Sequence, residues 1–190
     1  NIAEAGMFVY QGAGFEGWTE EVLAGLDTSR MVIVEASEGI ELLPAAGEEE
    51  HEHEHDHEGT HEHEHDHGDT DPHTWLSPRS ALRMAENILD GLVKADPEHE
   101  QEYRANYERL HADLTALDEA YTEKLADVPH REMVVSHRAF GYLARDYGLK
   151  QVAILGLSPE GEPTAQTLKE IYIILPFNMK RIVKNLHTFS

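Results

Sequence analysis

Hydrophobic residues occur along this chain in short runs that are separated by longer amphipathic stretches. Four runs are rich in Val, Met or Ile and have the length of buried β-strands. Helical periodicity fills most of the intervals between them, which favours an α/β fold with parallel strands. The predicted strands are Met7–Tyr10, Met31–Val34, Met133–Val135 and Val152–Leu155.

A glycine pair leads from the first predicted strand into a predicted short helix over Trp18–Leu26. Gly12 and Gly14 lack the third glycine of a dinucleotide-binding fingerprint, so a tight strand-to-helix turn is the simpler interpretation.

Two helices are well marked in the middle of the chain. Ser77 is a preferred N-cap residue with Pro78 at the first helical position, and Asp96-Pro97 repeats this start signal. The second helix carries one apolar stripe over about 28 residues, or about 42 Å. It suits a spine that joins two lobes, and a plain coiled-coil packing helix is the alternative. The stripe consists of Tyr103, Tyr107, Leu110, Leu114, Leu117, Tyr121 and Leu125.

Residues 47–70 contain no hydrophobic side chain and repeat the heptapeptide HEHEHDH at 51–57 and 61–67. Such a segment cannot bury apolar surface, so we expect a mobile loop. Imidazole next to carboxylate is typical of zinc ligation, and alternation predicts several weak, exchangeable sites. An acidic linker or an expression tag is the alternative. The loop histidines are His51, His53, His55, His57, His61, His63, His65 and His67.

Charge and cysteine content narrow the classes of function. The chain has 15 basic and 37 acidic residues, a formal net charge of −22, which argues against a nucleic-acid partner. With no cysteine, it can form neither disulfides nor a thiolate zinc site, so any metal must be held by imidazole and carboxylate. No run reaches the roughly 18 apolar residues of a membrane span.

Both ends of the sequence are unusual. The chain begins with Asn1 and almost at once enters a predicted strand, as a piece of a longer protein would. From Ile171 to Ser190 there are three basic residues and no acidic one, which indicates either a docking helix or foreign sequence.

Two histidines lie outside the loop in settings that would hold a side chain in place. His73 belongs to DPHTWLSP at 71–78, a Pro-stiffened turn before a helix, and a surface turn histidine is the alternative. His137 belongs to SHRAFGY at 136–142, after a strand and before a helix. Ligands of open α/β folds gather at that carboxyl edge, although a buried histidine bonded to backbone would fit as well.

Five segments occur in the order found in the zinc-specific solute-binding proteins of ABC transporters, which this chain resembles over about residues 1 to 172. They are GAGFEGW at 12–18, the acidic His-rich loop, DPHTWLSP at 71–78, SHRAFGYLARDYGL at 136–149 and GLSPEGEPTAQTLKEI at 156–171.

The resemblance implies two α/β lobes that are bridged by one long rigid helix, with the metal in the cleft between them. On this basis the chain contains one lobe, the linking helix and the start of the second lobe. The predicted divisions are a partial N-terminal lobe at 1–95 that includes the loop 47–70, the helix at 96–128, the start of the C-terminal lobe at 129–172 and an unrelated tail at 173–190.

The resemblance also implies a metal held by three histidines and an acidic residue or water. The histidine of the family's DPH motif matches His73, and the histidine of the family's SH-AFGY motif matches His137. The first ligand histidine would precede Asn1 and the acidic ligand would follow Tyr172, so we expect two rigid ligands here.

The implied function is binding of Zn²⁺ outside the cytoplasm and delivery to an ABC permease, without catalysis. The implied location is the periplasm, or the outer face of the cell membrane as a lipoprotein, with membrane association only through an N-terminal anchor absent from this sequence. A zinc buffer or chaperone that acts through the loop is one alternative. A zinc-dependent hydrolase is another, although no HExxH pattern and no general base are identifiable. Mn²⁺ is less favoured, because manganese sites are richer in carboxylates.

Overall fold

The computed structural model describes residues 2–45, 70–157, 163 and 165–174. Its first part contains β1 (Met7–Tyr10), α1 (Thr19–Ala24) and β2 (Val32–Glu35). The two strands pair in parallel, with Met7 opposite Val32. Two short apolar strands joined through a helix favour this parallel arrangement.

The turn after β1 requires its glycines. Gly12, Ala13 and Gly14 all have positive φ angles, of 77°, 52° and 78°. A Cβ atom on Gly12 would lie 2.3 Å from Oε1 of Glu35, so a side chain there would collide with the end of β2. The prediction of a tight turn is confirmed.

Two helices form the middle of the molecule. α2 (Pro78–Ala95) packs against β1, β2 and α3 (Glu100–Leu125), and a 3₁₀ turn at Pro97–His99 joins the two helices. Gly91 lets α2 approach the sheet, because a Cβ atom there would lie 2.3 Å from Cγ2 of Val34.

The predicted stripe of α3 is only partly covered. Tyr103, Tyr107 and Tyr121 are half-buried, whereas Leu110 and Leu117 stay 48% and 44% exposed. No residue of this helix is buried. The described part of the chain therefore covers one side of the stripe and leaves the other side open.

A second unit follows α3. It contains β3 (Glu132–Val135), α4 (Gly141–Tyr147), β4 (Lys150–Ala153) and α5 (Ala165–Ile174). β3 and β4 pair in parallel and form a two-stranded sheet separate from the β1–β2 sheet. α4 packs against α2, α3 and the 3₁₀ turn Thr74–Leu76, which joins this unit to the first one.

The predicted α/β class with parallel strands is confirmed, and the ends of the elements differ from the predicted ones by up to four residues. Ser77 occupies the predicted N-cap position of α2, and its backbone carbonyl accepts the Ala81 N–H at 2.8 Å, but its side chain does not cap the helix. α2 begins at Pro78, but the Ser77 hydroxyl makes no cap hydrogen bond and instead donates to Oδ2 of Asp146 in α4. A buried carboxylate acceptor from another helix has displaced the local backbone partner.

Two predicted segments fall largely outside the described residues. Of the loop 47–70 only Thr70 is described, so all eight loop histidines lie outside, and of the tail 173–190 only Ile173 and Ile174 are described. The described residues include no helix that is long and apolar enough to cross a membrane. The proposed domain divisions stay predictions.

Candidate metal centre

His73 is held by the carboxylate two residues before it. Oδ1 of Asp71 accepts the backbone N–H of His73 at 3.0 Å and lies 2.7 Å from Nδ1 of its ring. A carboxylate oxygen accepts hydrogen bonds, so this contact places the ring proton on Nδ1 and leaves Nε2 with an available lone pair. Asp71 itself is 3% exposed, which keeps water from competing for this contact.

The turn that carries His73 is fastened to the end of β1. Gln11 follows that strand directly, and its side-chain amide donates to Oγ1 of Thr74 at 2.6 Å and to the Pro72 carbonyl at 3.3 Å. Thr74 is fully buried. His73 therefore lies at the carboxyl edge of the β1–β2 sheet, in a turn whose backbone is held on both sides of the histidine.

His137 reaches the same place from the second sheet. It lies between the end of β3 and the start of α4, and its ring centroid is 5.6 Å from that of His73, at an interplanar angle of 64°. Two imidazoles that share a tetrahedral zinc through bonds of 2.0–2.1 Å have ring centroids about 5 Å apart. The observed separation is thus close to that of a shared ion.

Aromatic rings border this pair of histidines. The Trp75 ring centroid lies 5.3 Å from that of His73, and Phe15 packs edge-on against Trp75 at 5.4 Å. Phe15 is 56% exposed, so the wall reaches the surface. Apolar rings beside an imidazole limit its rotation and exclude water from one side of it.

The other described histidines are not part of this arrangement. His99 pairs with Asp96 at an exposed site after α2, His111 lies on the exposed face of α3, and His130 is exposed before β3. Within the described ranges no three His, Asp or Glu side chains form a group that could hold a metal ion. The structure therefore brings together two of the predicted site residues, and their ligand roles stay a prediction.

Sequence reasoning missed Asp71 and Gln11. The Asp71-Pro72-His73 spacing was a usable signal, because an Asp side chain commonly accepts the backbone N–H two residues later. The role of Gln11 had no comparable signal in the sequence, because it depends on a hydrogen bond to Thr74, which lies 63 residues further along the chain.

Comparison with known proteins places this chain among zinc-uptake components. It is 42% identical over 170 residues to the zinc-binding lipoprotein AdcA of Streptococcus pneumoniae, covering 90% of this chain and 33% of the relative. It is 43% identical over 171 residues to the high-affinity zinc uptake system protein ZnuA of Bacillus subtilis, covering 90% and 52%. The chain thus spans a third to a half of these relatives' length.

The fold is shared with solved zinc-bound structures. The Zn(II)-bound ZnuA-like domain of Streptococcus pneumoniae AdcA superposes with a TM-score of 0.69 at 34% identity, over 95% of this chain and 58% of that domain. These relatives and this solved domain are named for zinc binding or zinc uptake, and none of the three names describes an enzyme.

Residues 1–174 match the family described as the periplasmic component A of the zinc-uptake complex, ZnuA. Because the match covers nearly the whole chain and agrees with the shared sequence and fold, the chain belongs to the ZnuA family.

Proposed function

We propose that this protein binds Zn²⁺ outside the cytoplasm and delivers it to an ABC-type importer, with His73 and His137 as two of the ligands. One relative is named a lipoprotein and the matching family is described as periplasmic, which supports the location. Zinc is cargo in this function. The protein has to bind, hold and release the ion, and no covalent bond is made or broken.

One observation carries the proposal: the rings of His73 and His137 lie 5.6 Å apart, at the ends of strands from two different sheets. Asp71 orients His73 so that Nε2 is available, and this carboxylate–histidine arrangement is typical of the support that zinc ligands receive in proteins. A pair built from two sheets also changes its geometry when the sheets move, which gives a route for release.

Two ligands do not complete the four-coordinate shell that zinc prefers. Water and the loop histidines are the candidate donors within this sequence, and the longer relatives contain residues that this chain does not include. Loop donors have a short route to the site, because Pro44 and Thr70 form an antiparallel bridge next to Asp71. A zinc buffer that acts through the loop is therefore the second candidate function.

Substitution of His73 separates the two candidates. We expect His73→Ala to abolish the tightest zinc-binding step, because the remaining imidazole cannot retain the ion alone, while the weaker loop-bound equivalents persist. Zinc titration of the full chain against a competing chromophoric chelator measures both classes. His99→Ala is the matched control, since His99 also has an Asp partner, at 2.8 Å, but lies at an exposed site.

Equal titration curves for His73→Ala, His99→Ala and the unmodified chain would contradict the proposal. They would leave the loop as the only binding segment, and the buffer function would replace delivery from a defined site.

A further inference from the structure

Tyr142 links the two segments that carry the candidate ligands. Its side chain is fully buried in α4, and its hydroxyl donates to the Asp71 carbonyl at 2.5 Å and accepts the Leu43 backbone N–H at 3.1 Å. Burial raises the pKa of Tyr142, so the hydroxyl remains a donor throughout the physiological range. Each of these partners belongs to the first unit of the fold, whereas Tyr142 belongs to the second.

Gly141 brings the backbone of α4 against the same aspartate. A Cβ atom at this position would lie 2.8 Å from Oδ2 of Asp71 and 3.1 Å from Cδ1 of Leu43. All three oxygens of Asp71 thus have a neighbour: Oδ1 holds His73, the carbonyl accepts from Tyr142, and Oδ2 lies against Gly141. No larger residue fits in this place without moving the carboxylate.

The contacts of Tyr142 and Gly141 with Asp71 fix the position of one histidine relative to the other. His137 precedes Gly141 by four residues, so its backbone moves with the start of α4. His73 moves with Asp71, to which it is bonded through both its backbone N–H and its ring. Zinc ligands must lie within about 0.2 Å of their ideal distances from the ion, so a small change in the distance between the two histidines weakens zinc binding.

We propose that Gly141 and Tyr142 are positioning residues that clamp Asp71 and so set the distance between His73 and His137. This inference rests on the proposed zinc site. The clamp changes the zinc affinity without touching the ion. The distance between the two histidines then depends on the contact between α4 and the His73 turn.

The test is a site-resolved zinc titration of the full chain by two-bond proton–nitrogen NMR of the imidazoles. His73→Ala and His137→Ala assign the two rings, so the loop histidines do not obscure them. We expect Tyr142→Phe to raise the zinc concentration at half-saturation of both rings about tenfold, the lower end of the range for lost outer contacts.

Tyr147→Phe is the matched control. Tyr147 is also buried in α4 and its hydroxyl also donates a short hydrogen bond to another element, to Oδ1 of Asp118 at 2.8 Å, but that partner lies in α3 and not in the His73 turn. Its titration should equal that of the unmodified chain. Equal midpoints for Tyr142→Phe and Tyr147→Phe would overturn the clamp, whereas unaltered zinc binding in His73→Ala would overturn the zinc site itself.

A second variant tests the clamp if Tyr142→Phe does not fold. Gly141→Ala forces the Asp71 carboxylate to move and should raise the same midpoint. Gly6→Ala is its control, because a Cβ atom there meets nothing within 4 Å. An unchanged midpoint in a folded Gly141→Ala variant would also overturn the clamp.

Discussion

At the scale of single residues, one carboxylate determines how the candidate site works. Asp71 is buried and bonded to Nδ1 of the His73 ring, which leaves Nε2 as the ring nitrogen with an available lone pair. A free surface histidine would sample several rotamers and both neutral tautomers, and binding would have to select one of them. The fixed orientation removes that cost from each binding event.

Asp71→Asn tests the charge of this residue separately from its hydrogen bonds. An amide oxygen still accepts the N–H groups of His73, so the turn should remain, but the histidine loses a negative partner that strengthens its donation to the metal. We expect zinc affinity to fall by at least about tenfold. Competition titration with a chelator measures the change.

Asp96→Asn is the control for this prediction, because Asp96 makes the same kind of contact with His99 at an exposed site. A loss of affinity shared equally by the two variants would indicate a general effect of charge and would contradict the special role of Asp71.

At the scale of elements, α2, α3 and α4 are joined by a polar cluster. Oδ1 of Asp118 in α3 accepts from Nε of Arg79 in α2 and from the Tyr147 hydroxyl in α4, both at 2.8 Å. Burial opposes ionisation of Asp118, but the hydrogen bonds from Arg79 and Tyr147 outweigh it and hold its pKa below the usual value. The carboxylate thus connects three helices.

A lowered pKa makes this contribution depend on pH in a definite direction. The unfolded chain binds the proton more readily, so the stabilisation is present above the ordinary Asp pKa of about 3.9 and disappears as pH falls through the lower folded value. We expect Asp118→Asn to lower the free energy of unfolding by about 1 kcal/mol at neutral pH, since the ion pair is partly exposed. The difference from the unmodified chain should vanish in acid.

Chemical denaturation over a pH series checks this expectation. Asp113→Asn is the control, an exposed carboxylate on the same helix. A pH-independent difference for Asp118→Asn would show that the carboxylate acts through packing rather than through its charge.

The elements themselves were largely predictable from the sequence. Short runs such as Met133–Val135 have the composition of strands, and Pro78 and Gly148 mark helix ends through their backbone preferences. The relation between His73 and His137 was predictable only through the family resemblance. It depends on Tyr142 contacting Asp71 across 71 residues, and no local pattern contains such a contact.

At the scale of the whole molecule, apolar side chains remain exposed along α3 and the first sheet. Leu110 and Leu117 are 48% and 44% exposed, and Val9 and Ile33 are 42% and 40% exposed. Large exposed apolar patches tend to be covered by further protein. The chain spans 52% of the length of its Bacillus subtilis relative, which leaves ample sequence to cover them in longer members of the family.

This exposure predicts self-association of the 190-residue chain. The net charge of −22 opposes association at low salt, so the effect should emerge near physiological ionic strength, where screening acts within about 8 Å. We expect Leu110→Glu combined with Leu117→Glu to shift the chain towards monomer in sedimentation velocity. Ala105→Glu combined with Ala112→Glu adds the same charge at exposed positions of the same helix and should have a smaller effect.

Equal sedimentation of the two double variants would mean that charge alone governs association. The apolar stripe on α3 would then not be the surface through which the chain self-associates.

The bridge between Pro44 and Thr70 has a consequence for how this protein can diversify. Thr70 is also anchored by its hydroxyl to the Ala13 carbonyl, so both ends of the His-rich insertion are held by the scaffold. The entropic cost of closing a loop between fixed ends rises by only about 0.6 kcal/mol for each doubling of its length. Repeats of the histidine–acid unit can therefore be gained or lost between lineages with little effect on folding, and the number of imidazoles in the insertion can evolve separately from the His73 turn.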